Sequence, residues 1–246
     1  DLAKIMLPDS AHILYSYSEM LNRKGQRRGD APVEPLYGIN DALDALKQFS
    51  PVPYDQELHL SDNLRVFFRD AGHILGSAIL EVYVKENGKE TKLVFSGDLG
   101  QPNQPILRDP TIIHGADFVI TESTYGDRLH QLYDKETALI EIVNETMDRG
   151  GNLIIPSFAV GRTQTLLYYF YRLHCEGRLD PDIPIIIDSP LAINATRVFL
   201  KNFRDFDEDA LKVFGRNGKV PDFPQVRLCE TAAESRALNS SEGSAI

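Results

Sequence analysis

Apolar residues recur at helical spacing from the start of the chain: Leu2, Ile5, Met6, then Ile13, Leu14, Tyr17, Met20 and Leu21, with a break expected near Pro8. Asn22 to Asp30 sets Arg23, Lys24, Arg27 and Arg28 between glycines and reads as a basic loop, for which a solvated surface and a secondary phosphate contact both fit. Asn40 to Phe49 predicts an amphipathic helix capped by Asn40 or Asp41, with Leu43, Leu46 and Phe49 on its apolar face and Ser50-Pro51-Val52-Pro53 as its stop. The period then shortens to two. Strands are expected at Glu57–Leu60 and Leu64–Phe68, at Ala78–Lys85 and Lys92–Phe95 around an Asn87-Gly88 turn, and at Ala116–Thr121, with a proline-rich extended loop over 101–110. From Leu132 onward helix and strand alternate. Helices are expected at Glu136–Arg149, Arg162–Glu176, Pro190–Lys201 and from Thr231 or Ala232 to Leu238; buried strands at Asn152–Pro156, Ile183–Asp188 and Val226–Cys229; and a turn at Ser157–Gly161. Strands separated by helices of roughly ten residues or more predict a parallel, Rossmann-like sheet.

Composition narrows this picture. The 246 residues allow one large domain or two modest ones, and a hydrophobic content of 42% excludes global disorder. The formal charge of −10 argues against broad phosphate neutralisation as a way of holding nucleic acid, though not against a local grip by metal and a few side chains. No apolar run approaches the roughly eighteen residues that span a bilayer, and no leader pattern opens the chain, so a soluble, cytoplasmic protein is expected. Cys175 and Cys229 lack zinc-type spacing and are expected as buried free thiols. The chain opens inside a helical pattern, and Ser244-Ala245-Ile246 resembles the beginning of a strand, so an internal portion of a longer protein is expected.

Three short polar blocks follow apolar strands: Asp70-Ala-Gly-His73-Ile-Leu-Gly-Ser-Ala, Phe95-Ser-Gly-Asp98-Leu-Gly and Thr121-Glu122-Ser-Thr-Tyr-Gly. Each puts an imidazole or a carboxylate at or just past a strand end, where α/β proteins usually hold their chemistry. His73 and Asp98 are suitable ligands for a divalent ion such as zinc or manganese, and the flanking glycines leave room for it. By spacing alone, a structural His73 fits better than a metal-binding one. Ser157 to Arg162 joins a strand to a helix, so its backbone N–H groups and Arg162 could meet a phosphate, or Ser157 and Gly161 could simply cap the helix. At Asp188-Ser189-Pro190, Ser189 as a helix cap is sufficient explanation.

Gly-His73-Ile-Leu-Gly-Ser-Ala, Phe-Ser-Gly-Asp98-Leu-Gly, Thr-Glu122-Ser-Thr-Tyr-Gly-Asp-Arg-Leu-His, Ile-Pro-Ser157-Phe-Ala-Val-Gly-Arg162-Thr-Gln and Asp188-Ser-Pro-Leu-Ala, in that order, resemble the β-CASP branch of the metallo-β-lactamase fold superfamily. That branch contains RNA-processing endo- and exonucleases. The resemblance implies that His73 is a ligand of one ion of a di-zinc pair and that Asp98 is the carboxylate bridging both. It implies that Glu122 orients a histidine that protonates the leaving oxygen, and that His130 is a structural residue near a domain junction. The family's His-x-His-x-Asp-His motif and its later histidine motifs do not occur in this sequence.

The expected fold class is therefore α/β: the later portion of a metallo-β-lactamase αββα sandwich over residues 1–128, then a Rossmann-like parallel β-CASP module, incomplete, over residues 129–246. The expected function is that of a metal-dependent ribonuclease of RNA processing or decay. The expected site residues are Glu122 and Asp98 for catalysis, His73 and Asp98 for two zinc ions, and Ser157 and Arg162 for substrate. RNA is the expected partner, a homodimer is allowed, and no membrane is involved. The chain as given, with two ligands, is expected to be inactive. The competing readings are a non-catalytic scaffold subunit of an RNA-processing complex and a metallo-hydrolase of thioesters or lactams; the large second module argues against the latter.

Overall fold

The computed structural model describes residues 1–129, 133–214, 223–240 and 243–246. The chain divides into two units, Asp1–Pro51 and Val52–Ile246.

In the first unit, helix α1 (Leu2–Gln26) runs through Pro8 without a break. A proline inside a helix loses its own N–H bond and crowds the carbonyl four residues back, but the apolar period continues on both sides of Pro8 and carries the helix through. The helix also runs further than expected, so Arg23 and Lys24 lie in its last turn rather than in a loop, and Arg23 Nη2 sits 3.1 Å from Glu19 Oε2. Helix α2 (Ile39–Lys47) is capped by Gly38, not by Asn40 or Asp41; Asp41 reaches back from the first turn to accept the Gly38 N–H at 2.8 Å. Tyr37 Oη donates to Ser10 Oγ at 2.8 Å and ties α1 to the segment entering α2.

In the second unit, strands β1 (Leu58–Ser61), β2 (Leu64–Asp70), β3 (Ala78–Glu86) and β4 (Lys89–Phe95) pair antiparallel in chain order, and β5 (Phe118–Ile120) adds parallel to β4. Asn87 and Gly88, both at positive φ (50° and 76°), make the tight turn between β3 and β4, a conformation these residues adopt at little cost. Because β2, β4 and β5 run in one direction, their C-terminal ends share one edge of the sheet. The apolar run that gives β5 is shorter as a strand than expected and forms an exposed edge, with Val119 at 64% exposure.

One buried carboxylate anchors the middle of this sheet. Glu81, on β3, is 4% exposed. It accepts from Arg69 Nε at 2.9 Å and from Tyr83 Oη at 2.7 Å, and Lys92 Nζ lies 3.1 Å away. Burial alone would raise its pKa, but these donors outweigh burial and hold the carboxyl below its ordinary range.

The later part of this unit alternates as predicted: α3 (Lys135–Asp148), α4 (Arg162–Cys175), β6 (Ile185–Ile187), α5 (Pro190–Lys201), α6 (Glu208–Phe214), β7 (Val226–Leu228) and α7 (Ala232–Leu238). Asp134 caps α3 by accepting the Glu136 and Thr137 N–H groups, and Ser189 caps α5 by accepting from Ala192 at 3.2 Å. Strands β6 and β7 pair in parallel. Val143 and Leu173, both fully buried, centre a core shared by α3, α4 and β6. Helix α6 was not foreseen, since its apolar residues fall in a short acidic run.

Residues 152–156 form no ladder strand, and Ile154 is 83% exposed, so the expected buried strand is half realised. Leu153 and Ile155 still pack on the core, and Leu153 N–H donates to Ala245 O at 2.9 Å. On the other side, Ile246 N–H reaches Pro184 O and Ile186 N–H reaches Ile246 O, the pattern of a parallel ladder. Cys229 is buried as expected; Cys175, at the exposed end of α4, is not.

Candidate functional site

His73, Asp98 and Glu122 leave β2, β4 and β5 at the shared edge of the sheet. The His73 loop is built from side-chain acceptors that satisfy N–H groups the sheet cannot. Asp70 Oδ1 accepts the Gly72 N–H at 2.9 Å, and Ser77 Oγ accepts from His73 at 3.1 Å and from Ile74 at 3.2 Å. Tyr54 Oη, itself half-buried, donates to Ser77 O at 2.8 Å and pins the far end of the loop.

The Asp98 loop lies directly against it. Gly100 N–H donates to Ala71 O at 2.8 Å, and a Cβ on Gly100 would fall 1.9 Å from Gly72 O, so only glycine lets the two loops meet. Gly72, at φ +60°, is similarly closed off by Arg108 O and Pro110. Leu99 anchors the loop in a small core with Ala71, Ile79 and Val94. The result is an approach of 3.8 Å between His73 Nε2 and Asp98 Oδ2, with both side chains open to solvent.

Glu122 closes the third side. Its Oε1 accepts the Leu99 N–H at 2.8 Å, its Oε2 lies 3.4 Å from Thr124 N, and its own N–H donates to Ser96 Oγ at 3.2 Å. The bonds from Leu99 and Thr124, with a smaller contribution from the nearby His73, hold this carboxyl below its ordinary pKa.

The donor set fits a divalent ion. Two ligands each about 2.1 Å from a tetrahedral ion stand about 3.4 Å apart, so the separation of the imidazole nitrogen and the carboxylate oxygen needs only a few tenths of an ångström of adjustment. Among the described residues no group of three or more His, Cys, Asp or Glu is placed to hold a metal.

Ser157 and Arg162 stand at the turn into α4 and are exposed. This turn borders the His73 loop: a Cβ on Gly161, at φ +85°, would meet Ile74 Cγ2 at 3.5 Å. Thr163 Oγ1 donates to Phe158 O at 2.9 Å and lies 3.4 Å from Ser157 Oγ, while Gln164 Oε1 accepts the Gly161 N–H at 2.7 Å. That last bond satisfies one donor that a helix-bound anion would otherwise use. His130 lies outside the described residues.

Sequence reasoning missed Ser77, Ser96 and the Gly72–Gly100 apposition. The signal was present, since both serines adjoin glycines in loops whose N–H groups need acceptors.

Comparison with known proteins gives the family. The family model described as the Beta-Casp domain matches residues 163–246. Over 213 residues the chain is 38% identical to Ribonuclease TTHA0252 of Thermus thermophilus, an alignment covering 85% of this chain and 47% of that protein. Residues 163–246 belong to the β-CASP family. An RNase J-like protein of Methanocaldococcus jannaschii is 36% identical over 168 residues, 67% of this chain and 38% of that one. Endoribonuclease YSH1 of Eremothecium gossypii is 26% identical over 194 residues, 76% of this chain and 24% of its own length. The chain thus spans less than half the length of these β-CASP relatives. The domain match begins one residue after Arg162, at the turn that borders His73. No helix among the described residues is long and apolar enough to cross a membrane.

Proposed function

We propose that this chain supplies one side of the active site of a metal-dependent ribonuclease of RNA processing or decay. In this reading residues 1–128 belong to a metallo-β-lactamase-like domain and residues 129–246 to the β-CASP module, with substrate RNA lying between them in the cytoplasm. A homodimer is compatible with it. His73 and Asp98 would hold zinc. When bound, such ions lower the pKa of a water and stabilise negative charge on a phosphorane-like transition state. Glu122 would keep a histidine from elsewhere in the protein oriented to protonate the leaving oxygen. Arg162 and Ser157, beside the His73 loop, would hold a phosphate of the substrate backbone.

The observation that carries the reading is the 3.8 Å approach of His73 Nε2 to Asp98 Oδ2, on loops that glycines allow to touch. A scaffold subunit has no need of such an arrangement. The test is RNA cleavage by the 246-residue chain beside a version extended at both ends to the length of its relatives, each assayed with zinc. The expected result is cleavage by the extended protein, loss of it on Asp98→Ala, and little or none by the short chain. An extended protein that binds RNA but never cuts it would favour the scaffold reading instead.

A further inference from the structure

The bond from Leu99 to Glu122 gives Glu122 a task separate from orienting a histidine. Asp98 projects from a short loop, and its own side chain is 72% exposed. What fixes its direction is the backbone. Ser96 N–H is bound to Ile120 O at 2.9 Å at one end of the loop, and Gly100 N–H to Ala71 O at 2.8 Å at the other. Between them, the Leu99 N–H, next in the chain to Asp98, is held by a side chain, through Glu122 Oε1 at 2.8 Å. Glu122 is in turn held by Ser96 Oγ at its own N–H, so the residue before the Asp98 turn and the residue after it are both bonded to Glu122. The acceptor oxygen thus links the C-terminal end of β5 to the peptide that carries Asp98.

We propose that Glu122 is a positioning residue for Asp98, acting through an acceptor oxygen on the Leu99 N–H rather than through its negative charge. The proposal rests on the reading of Asp98 as a metal ligand. It separates two properties that three substitutions can tell apart. Glu122→Gln keeps the reach and the acceptor oxygen toward Leu99 but loses the charge and the long 3.4 Å contact with Thr124 N. Glu122→Asp keeps the charge but falls one methylene short. Glu122→Ala loses both.

The experiment is nuclear magnetic resonance on the 246-residue chain and these variants, reading hydrogen exchange of the Leu99 amide and the Mn2+ concentration that broadens the His73 and Asp98 resonances. The expected result is that Glu122→Gln matches the parent in both readouts. In Glu122→Ala and Glu122→Asp, Leu99 exchange should accelerate up to roughly tenfold, the scale of a single neutral hydrogen bond, and the Mn2+ requirement should rise in parallel. Unshifted resonances of β3 and β6 identify folded variants, and if Glu122→Ala does not fold, the contrast of Asp with Gln decides. Unchanged Leu99 exchange in Glu122→Asp, or Glu122→Gln exchanging as fast as Glu122→Asp, would overturn the proposal. If Mn2+ broadens neither His73 nor Asp98 in any variant while Leu99 protection follows the acceptor, the metal reading fails and the clamp is supported.

Discussion

At the scale of single residues, the candidate site depends on positions where an added methyl group has nowhere to go. Gly100 is the sharpest case, because its hypothetical Cβ meets backbone, Gly72 O at 1.9 Å and His73 N at 2.9 Å, and backbone cannot swing aside as a side chain would. Gly100→Ala is therefore expected to separate the His73 and Asp98 loops and to cost about 1–3 kcal/mol, the range for overpacking a filled site. Urea denaturation checks it; a loss below about 0.5 kcal/mol would mean the loops are not locked together. The sequence indicated that the glycines allow sharp turns, and here it was incomplete. Of these two, Gly72 adopts a positive φ, whereas Gly100 is required for close approach, which spacing along a chain cannot reveal. The same limit hid Ser77, whose two backbone partners are visible only once the loop has closed on itself.

At the scale of elements, periodicity was informative where burial is one-sided and misleading where another force decides. The β3–β4 hairpin was legible because Asn87-Gly88 suits a two-residue turn, and α5 because Ser189 and Pro190 mark a helix start. Residues 152–156 read as a buried strand because their apolar content is high, yet a strand also needs a backbone ladder to a neighbour along the segment, and Ile154 has its side chain in solvent. Glu81 was not legible at all: a carboxylate in an alternating strand reads as solvent-facing, and only pairing brings Arg69, Lys92 and Tyr83 around it. Removing it leaves cations facing a half-buried site, so Glu81→Ala is expected to cost about 3 kcal/mol. The sign of its pH dependence follows from a folded-state pKa lying below the unfolded one. Its contribution is complete above the ordinary glutamate value and is lost as pH falls through the lower, folded-state value. The difference in stability between parent and Glu81→Ala should therefore be constant near neutrality and shrink below about pH 4; a difference that grows on acidification would contradict the assignment.

At the scale of the whole molecule, the chain supplies a sheet edge rather than a finished centre. The order of strands brings β2, β4 and β5 to one edge, which explains how blocks far apart in sequence come to share a site, and the strand-end positions of His73, Asp98 and Glu122 were readable before any fold was known. The helix–strand alternation of the later residues was readable too. What the sequence could not supply was the third dimension of the site, including the nearness of the α4 turn to Ile74. The measurement that tests the central claim most directly is the zinc content of the protein extended at both ends, beside its His73→Ala and Asp98→Ala variants. The account predicts two zinc ions per chain in the parent, a loss of one in His73→Ala and a loss of at least one in Asp98→Ala, with folding retained in both. Parent-like zinc content in both variants would contradict it.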